Sequence, residues 1–269
     1  MFDIELAKKA SSNLKNLRGK NPLIHNITNY VVMNYTANAL LACGASPVMA
    51  HAAEELEEMV SFAGALVLNI GTLTPQWIDS MLKAGKRANE LNIPIVLDPV
   101  GSGATKLRTT SAKRLIDELE IGVVRGNASE VLSLALEDSL TKGVDAVHSV
   151  DEAADAAIQL AKELDTTIAI TGEVDLVTYG GRIFMVHNGH PLMGHVTGTG
   201  CTATAIIGAF LAVDREPVVA ATTALAYFGL AGEKGAIAAK APGSFQTAIL
   251  DALYTIDEKQ MEEGAKIQS

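Results

Sequence analysis

The chain has 269 residues, 48% of them hydrophobic but only 4% aromatic, and a formal charge of −10. A surface of that sign, with no Lys/Arg cluster to reverse it, excludes a nucleic-acid binder. The two cysteines, Cys43 and Cys201, have no CxxC or Cys/His metal spacing. That excludes a disulfide scaffold or zinc module and points to a reducing, cytoplasmic setting. The start, MFDIELAKK, reads as amphipathic and not secretory. The longest apolar run, near 205–213, is too short to span a bilayer, so no membrane partner is expected.

Residues 4–17 carry apolar positions at helical spacing and predict a first helix, stopped near Gly19–Pro22. Leu23–His25 reads as a short strand, with Asn26 and Thr28–Asn29 as turn and cap before a buried helix from Tyr30 to Cys43, closed by Gly44. A second short strand follows at 46–50, then an acidic helix at 53–62. ALVLNI (65–70) is a buried strand, and Thr74–Pro75 caps a helix reaching Leu91. IPIVL (93–97) is another strand, ending in Asp98-Pro99-Val100-Gly101. A helix near 110–119 leads to the strand 121–125, after which Gly126–Glu130 opens a helix. The stretch 138–149 is predicted as a loop, and Ser149–Glu152 as a capping box for a helix to Leu164. Then come the strand 167–170, a hairpin of 175–179 and 182–187 about Gly180–Gly181, helices at 201–213 and 218–234, and a helical segment after Pro242-Gly243 to about 255. An acidic tail ends the chain.

Strands alternating with helices imply a mostly parallel sheet covered by helices on both faces, with ligands beyond the carboxyl ends of the strands. The polar punctuation falls on that edge: Asn69–Thr72, Asp98–Gly101, Arg125–Asn127 and Thr171–Glu173. No linker or repeat interrupts the chain, so residues 1–269 are read as one domain.

The chemistry concentrates in GHVTGTGCTATAIIGAFLAV, Gly194–Val213. Gly198 and Gly200 admit close backbone approach, and the amides of the helix start favour an anion. Cys201 at that start is expected to have a lowered thiol pKa. The competing reading is a helix start packed closely through glycines, with a small buried cysteine. Asp98 and Glu130 suit a hard cation such as Mg²⁺, which takes few carboxylates and keeps water. Asp98 serves equally as a turn residue, and spacing alone favours an ordinary first-turn acid for Glu130. Arg125 at a strand tip is a phosphate clamp or, more commonly, a salt-bridge partner; Thr171 offers a hydroxyl or simply ends a strand. There is no P-loop motif. The GxGxxA pattern from Gly198 lacks the strand that should immediately precede it, so a dinucleotide site is disfavoured.

The segments PLIHNITNYVVMNYTANALLACGASPVMA, LNIGTL, VLDPVGSGAT, VVRGNASE, AITGEVD and GHVTGTGCTATAIIGAFLA together resemble the hydroxyethylthiazole kinases of thiamin salvage. The resemblance runs from about Asn21 to Phe245 in unbroken order. It implies a ribokinase-like α/β fold without a lid. The implied activity is transfer of the γ-phosphoryl of ATP to the hydroxyl of 4-methyl-5-(2-hydroxyethyl)thiazole. It also implies Mg²⁺, and a homotrimer with sites between subunits.

Carried onto this sequence, the resemblance makes Gly198, Thr199 and Gly200 an anion hole and Cys201 the catalytic base. Cys201 stands where the wider superfamily has the aspartate of GxGD. Asp98 and Glu130 would organise the metal. Arg125, Thr171 and Asn127 would bind ATP. Asn26, Val48, Met49, Gly71 and Gly198 would line the thiazole site, closed by Asn69–Thr72 of a neighbour. Two rival readings stand beside it: a related pyrimidine-alcohol kinase or nucleotide-dependent dehydratase, against which Cys201 argues, and a silent nucleotide- or thiamin-binding sensor.

Overall fold

A computed structural model describes residues 2–135 and 150–269 of the chain, and side chains at 150–153 are not included. The predicted loop at 138–149 and the capping box at Ser149–Glu152 lie outside the described residues. The first half runs α1 (Ile4–Lys20), β1 (Leu23–Ile27), α2 (Met33–Cys43), β2 (Ser46–Val48), α3 (Leu56–Ser61), β3 (Ala65–Asn69), α4 (Pro75–Glu90), β4 (Ile95–Asp98), α5 (Lys106–Glu118), β5 (Val123–Gly126) and α6 (Ala128–Leu132). The second half runs α7 (Val150–Glu163), β6 (Thr167–Ile170), β7 (Asp175–Tyr179), β8 (Arg182–Val186), a 3₁₀ turn (Pro191–His195), α8 (Thr199–Leu211), α9 (Pro217–Ala238), α10 (Pro242–Thr255), α11 (Glu258–Gly264) and β9 (Ile267–Gln268).

The strands form one sheet in the order β2-β1-β3-β4-β5-β6-β7-β8-β9. Neighbours from β2 through β6 pair parallel, and β7, β8 and β9 each pair antiparallel with the strand before. The expected hairpin is therefore present and sits at the end of a parallel sheet. The strands read as continuous apolar runs because both sheet faces are covered. One face packs Ile24, Val67, Val96, Val123 and Ala169 against helices α1, α2 and α8–α10. The other packs Ile27, Leu66, Leu68, Ile95, Leu97 and Val124 against α4, α5 and α7.

Helix α8 lies in the deepest layer, with every residue from Thr202 to Leu211 buried. Helix α9 is buried without a break from Val218 to Gly232. Small side chains make such packing possible. A Cβ placed on Gly208 would lie 2.7 Å from Val67 Cγ2, so only glycine lets α8 sit this close to the sheet.

Thr74 caps α4 with Pro75 in its first turn, and Gly44 closes α2 in the left-handed conformation, as the sequence predicts. Several boundaries differ. β1 extends through Asn26 and Ile27, so Asn26 is a strand residue and not a cap. α2 begins at Met33, three residues late, because Asn29 Oδ1 accepts from the Val31 amide and holds a turn outside the helix. α5 starts earlier than expected, at Lys106, where Thr105 Oγ1 accepts from the Arg108 amide. The acidic tail contains α11 and the short strand β9, which pairs with β8.

Candidate active site

The carboxyl ends of the parallel strands carry the predicted residues in sheet order. Asn69 ends β3, Asp98 ends β4, Arg125 lies near the end of β5, and Thr171 follows β6. The start of α8 faces them. Gly198 precedes the helix with φ 87, and a Cβ there would lie 2.8 Å from Val32 Cγ1. The helical bonding begins with Thr202 N donating to Gly198 O, and no side chain caps this end. The amides of Thr199, Gly200 and Cys201 therefore have no partner within the helix, which is the arrangement that receives an anion.

Asp98 is 1% exposed. Its Oδ2 accepts from Asn69 Nδ2 at 2.7 Å and Thr204 Oγ1 at 2.9 Å, and lies 3.8 Å from Arg125 Nη1. Its Oδ1 is buried with no partner. Burial pushes the carboxyl up to about 6 against the pull of Arg125. Arg125 is nearly as buried; Nη2 donates to Thr171 Oγ1, while Nε has no partner. A Cβ on Gly200 would lie 2.8 Å from Arg125 Nη1, so the second glycine of the loop makes room for the guanidinium.

Cys201 is partly buried, and its Sγ accepts from Asn29 Nδ2 at 3.5 Å. Asn29 Nδ2 also donates to Asn69 Oδ1 at 2.8 Å, and Asn69 in turn donates to Asp98. Two neutral amides thus join the thiol to the carboxylate. The expected lowering of the Cys201 pKa is reversed. Burial pushes the thiol up to about 11, the charge of Asp98 adds to that, and donors from Asn69 and Asn29 offset only part. Being at a helix start does not outweigh desolvation here.

Glu130 and Asn127 form a capping box on α6. Asn127 Oδ1 accepts from the Glu130 amide at 2.8 Å, and Glu130 Oε2 accepts from the Asn127 amide at 2.9 Å. Glu130 Oε1 accepts from the Gly101 amide at 2.8 Å, which ties the loop after β4 to the loop after β5. Arg108 makes the matching link to the loop after β3, donating to Ile70 O, Val100 O and Gly71 O. Nothing in the spacing of the sequence singles out Arg108 or Thr204, and Asn29 reads there only as a turn and cap residue.

Of the residues expected to line the thiazole site, Gly198 and Gly71 belong to this cluster, the Gly71 amide donating to Asn69 Oδ1 at 2.9 Å, while Val48 and Met49 lie at the edge strand. Asn26 is fully buried in β1; Nδ2 donates to Ile24 O, and Oδ1 has no partner. Val48 and Met49 are half-buried at the end of β2, the edge strand. Gly71 backs onto Asn29, where a Cβ would lie 2.6 Å from Nδ2. Of the Asn69–Thr72 segment expected to serve a neighbour, Asn69 and Ile70 are buried in their own chain, leaving Gly71 and Thr72 partly exposed. Asn69 belongs to the Asp98 network of its own chain.

A cavity of about 810 Å³ opens beside the cluster. Arg125, Thr171, Thr199 and Gly200 border one side, and Met193, Leu225 and Phe228 contribute apolar walls. Asn26, Val48, Met49 and Gly71 are not among its lining residues. His190, beside this cavity, uses Nδ1 to accept from the Leu192 amide.

The sequence model of the Hydroxyethylthiazole kinase family matches residues 14–259. A hydroxyethylthiazole kinase of Desulfotalea psychrophila is 64% identical over 259 residues, covering 96% of this chain and 95% of that one. A solved structure of a hydroxyethylthiazole kinase protein from Pyrococcus horikoshii OT3 superposes with a TM-score of 0.90 at 50% identity, over 97% of this chain and 98% of that one. A ribokinase-like superfamily protein from Enterococcus faecalis V583, 14% identical, superposes with a TM-score of 0.65 over 95% of both chains, a likeness of fold alone.

Proposed function

This chain belongs to the hydroxyethylthiazole kinase family, and from that premise we infer how its carboxyl edge works. It is a kinase with the ribokinase-like fold, and it phosphorylates the hydroxyl of 4-methyl-5-(2-hydroxyethyl)thiazole with ATP as co-substrate, in thiamin salvage. One observation carries the assignment of the site. The uncapped start of α8, the Arg125–Thr171 pair, Asp98 and Cys201 converge at one edge, beside a cavity large enough for a nucleotide.

In this reading the amides of Thr199, Gly200 and Cys201 receive the transferring phosphoryl group, as an anion hole. Arg125 and Thr171 hold the phosphates behind it. Phosphoryl transfer proceeds through a loose transition state, so placement and charge neutralisation matter most. The acceptor oxygen bonds to the γ-phosphorus, the bond to the bridging oxygen breaks, and the hydroxyl proton passes to Cys201 in its thiolate form. The Asn29 amide, donating to the sulfur, stabilises the thiolate that accepts this proton. Asn127 contributes by fixing the start of α6 and the loop after β5, since its side-chain oxygen is committed to the cap.

Asp98 and Glu130 are the residues that would hold Mg²⁺. The buried, unpartnered Oδ1 of Asp98 fits a cation ligand. Among the described residues there is no group of three or more His, Cys, Asp or Glu able to hold a metal by themselves. A few carboxylates completed by water and phosphate is the habit of Mg²⁺. When bound, the ion neutralises phosphate charge.

Asn26, Val48, Met49, Gly71 and Gly198 are assigned to the thiazole. That Asn26, Val48, Met49 and Gly71 do not line the nucleotide cavity supports an acceptor site completed by a neighbouring subunit of a homotrimer. The exposed Tyr30 and Val31, beside Thr72, support an interface there. One sheet through all the described strands supports a single kinase domain over 1–269. Among the described residues no helix is long and apolar enough to cross a membrane, and with the reduced cysteines this supports a cytoplasmic location.

The test is ADP release, coupled to a reporter, with the thiazole alcohol and with a pyrimidine alcohol as alternative acceptors. Turnover with the thiazole is expected. Turnover confined to the pyrimidine would overturn the reading, and tight ATP binding with no turnover on either would favour a sensor.

A further inference from the structure

We propose that Asp175 binds the ribose hydroxyls of the nucleotide and makes the enzyme selective for ribonucleotides. The proposal rests on the assignment of ATP phosphates to Arg125 and Thr171.

The sheet itself is the ruler. Gly126 pairs with Ile170, Ile170 pairs with Leu176, and Asp175 pairs with Val186. β7 runs opposite to β6, so its first residue stands at the same edge where β6 ends. Thr171 and Asp175 are thus side by side, one strand spacing or about 5 Å apart. Asp98 on β4 lies three strands from β7, about 14 Å in the same direction. Moving outward from Cys201 and Asp98, the edge presents Arg125, then Thr171, then Asp175. A nucleotide with its γ-phosphate at the start of α8 meets the same order in its own parts: phosphates, then sugar, then base.

The carboxylate is suited to that place. Asp175 lines the 810 Å³ cavity. Its Oδ1 accepts from the Gly172 amide at 3.0 Å, which closes the turn between β6 and β7. Its Oδ2 has no hydrogen bond to any of the described residues. Burial raises the group to about 6, with the Arg125 charge pulling the other way. An ionised carboxylate only accepts hydrogen bonds, and a triphosphate has no donors to offer it. Val174 and Phe228 beside it are apolar. The donors within reach of the phosphate clamp are the vicinal hydroxyls of the sugar.

The test is calorimetric binding of ATP, 2′-deoxy-ATP, 3′-deoxy-ATP and inosine triphosphate to the full-length protein without the thiazole alcohol. For the unaltered protein, loss of a sugar hydroxyl should weaken binding about tenfold, the scale of a hydrogen bond to a charged group. Asp175→Ala should weaken ATP about tenfold and remove the penalty for the deoxy nucleotides. Asp175→Asn keeps an oxygen for the Gly172 amide, and so separates loss of charge from loss of the turn. It should retain less than half of the discrimination, on a logarithmic scale.

Deoxy penalties that survive undiminished in both variants, or a penalty that follows the base amino group and vanishes in Asp175→Ala, would overturn the proposal. Unaltered protein that phosphorylates the thiazole alcohol but ignores the sugar would remove this proposal alone. Unaltered protein that binds no ATP would remove the kinase reading with it.

Discussion

A buried acid, a half-buried acid and a thiol set the behaviour of this site at the scale of single residues. Burial pushes the Cys201 thiol up to about 11, so at neutral pH it is almost wholly protonated and only the small thiolate fraction can take the proton of the alcohol. Cys201→Ser should therefore lower kcat by about 100-fold, the lower range for a positioned base, with ATP affinity changed less than about twofold. Steady-state kinetics with calorimetry reads both, and unchanged turnover would remove the sulfur from the chemistry. Asp175 gives a prediction about stability. Its folded pKa, about 6, lies above the ordinary aspartate value, so the folded chain holds the proton more tightly than the unfolded one. The resulting stabilisation is full below about pH 4 and is lost as pH rises through 6. Urea unfolding of the wild type and Asp175→Asn from pH 4 to 7 should show the wild type losing ground by roughly 1–3 kcal/mol. A gap that stays constant across that range would mean that the carboxyl is not desolvated. Neither pKa was legible in the sequence. The helix start beside Cys201 is a local signal, whereas burial comes from distant parts of the chain.

Between elements, glycines decide how closely the layers approach, and two of them should fail in different ways. Gly200 faces the tip of a flexible guanidinium, so Gly200→Ala should leave the fold intact, displace Arg125 and raise the KM for ATP several-fold. Gly229 on α9 faces backbone: a Cβ there would lie 2.6 Å from the carbonyl of Asn188. Gly229→Ala should cost about 1–3 kcal/mol in denaturant melts, the usual range for overpacking. Equal stability losses in the two variants would contradict this contrast. The strands themselves were readable because each is an apolar run cut off by polar or glycine residues at one edge. Asn26 was misread because asparagine suits turns and caps, and its place in β1 is settled by pairing with β3. β9 left no pattern at all, since two residues paired far from their neighbours in sequence have no periodicity. Asn69 was legible as polar punctuation at the edge and Asn29 as a cap, but nothing local showed that their amides join thiol to carboxylate.

For the molecule as a whole, the proposed division of the site between chains makes a prediction that no single-chain property does. If Cys201 of one subunit works with Gly71–Thr72 of another, two inactive variants should rescue each other. Cys201→Ser and Thr72→Trp, each inactive alone, should regain up to about a quarter of wild-type turnover when co-refolded, with sedimentation reporting three chains. Co-refolded protein that stays as inactive as its parents would place all the groups in one subunit. The fold, the uncapped glycine-led start of α8 and the carboxyl-edge placement were all legible, because they follow from patterning and from the direction of strands. The reversal of β7 leaves a further mark. The rim is sorted about Asp98: groups assigned to the alcohol fall toward β1 and β2, and groups assigned to the nucleotide fall toward β7 and β8. Changes of acceptor and changes of donor thus draw on separate sets of positions, and a lineage is free to acquire a new alcohol while its fuel stays the same.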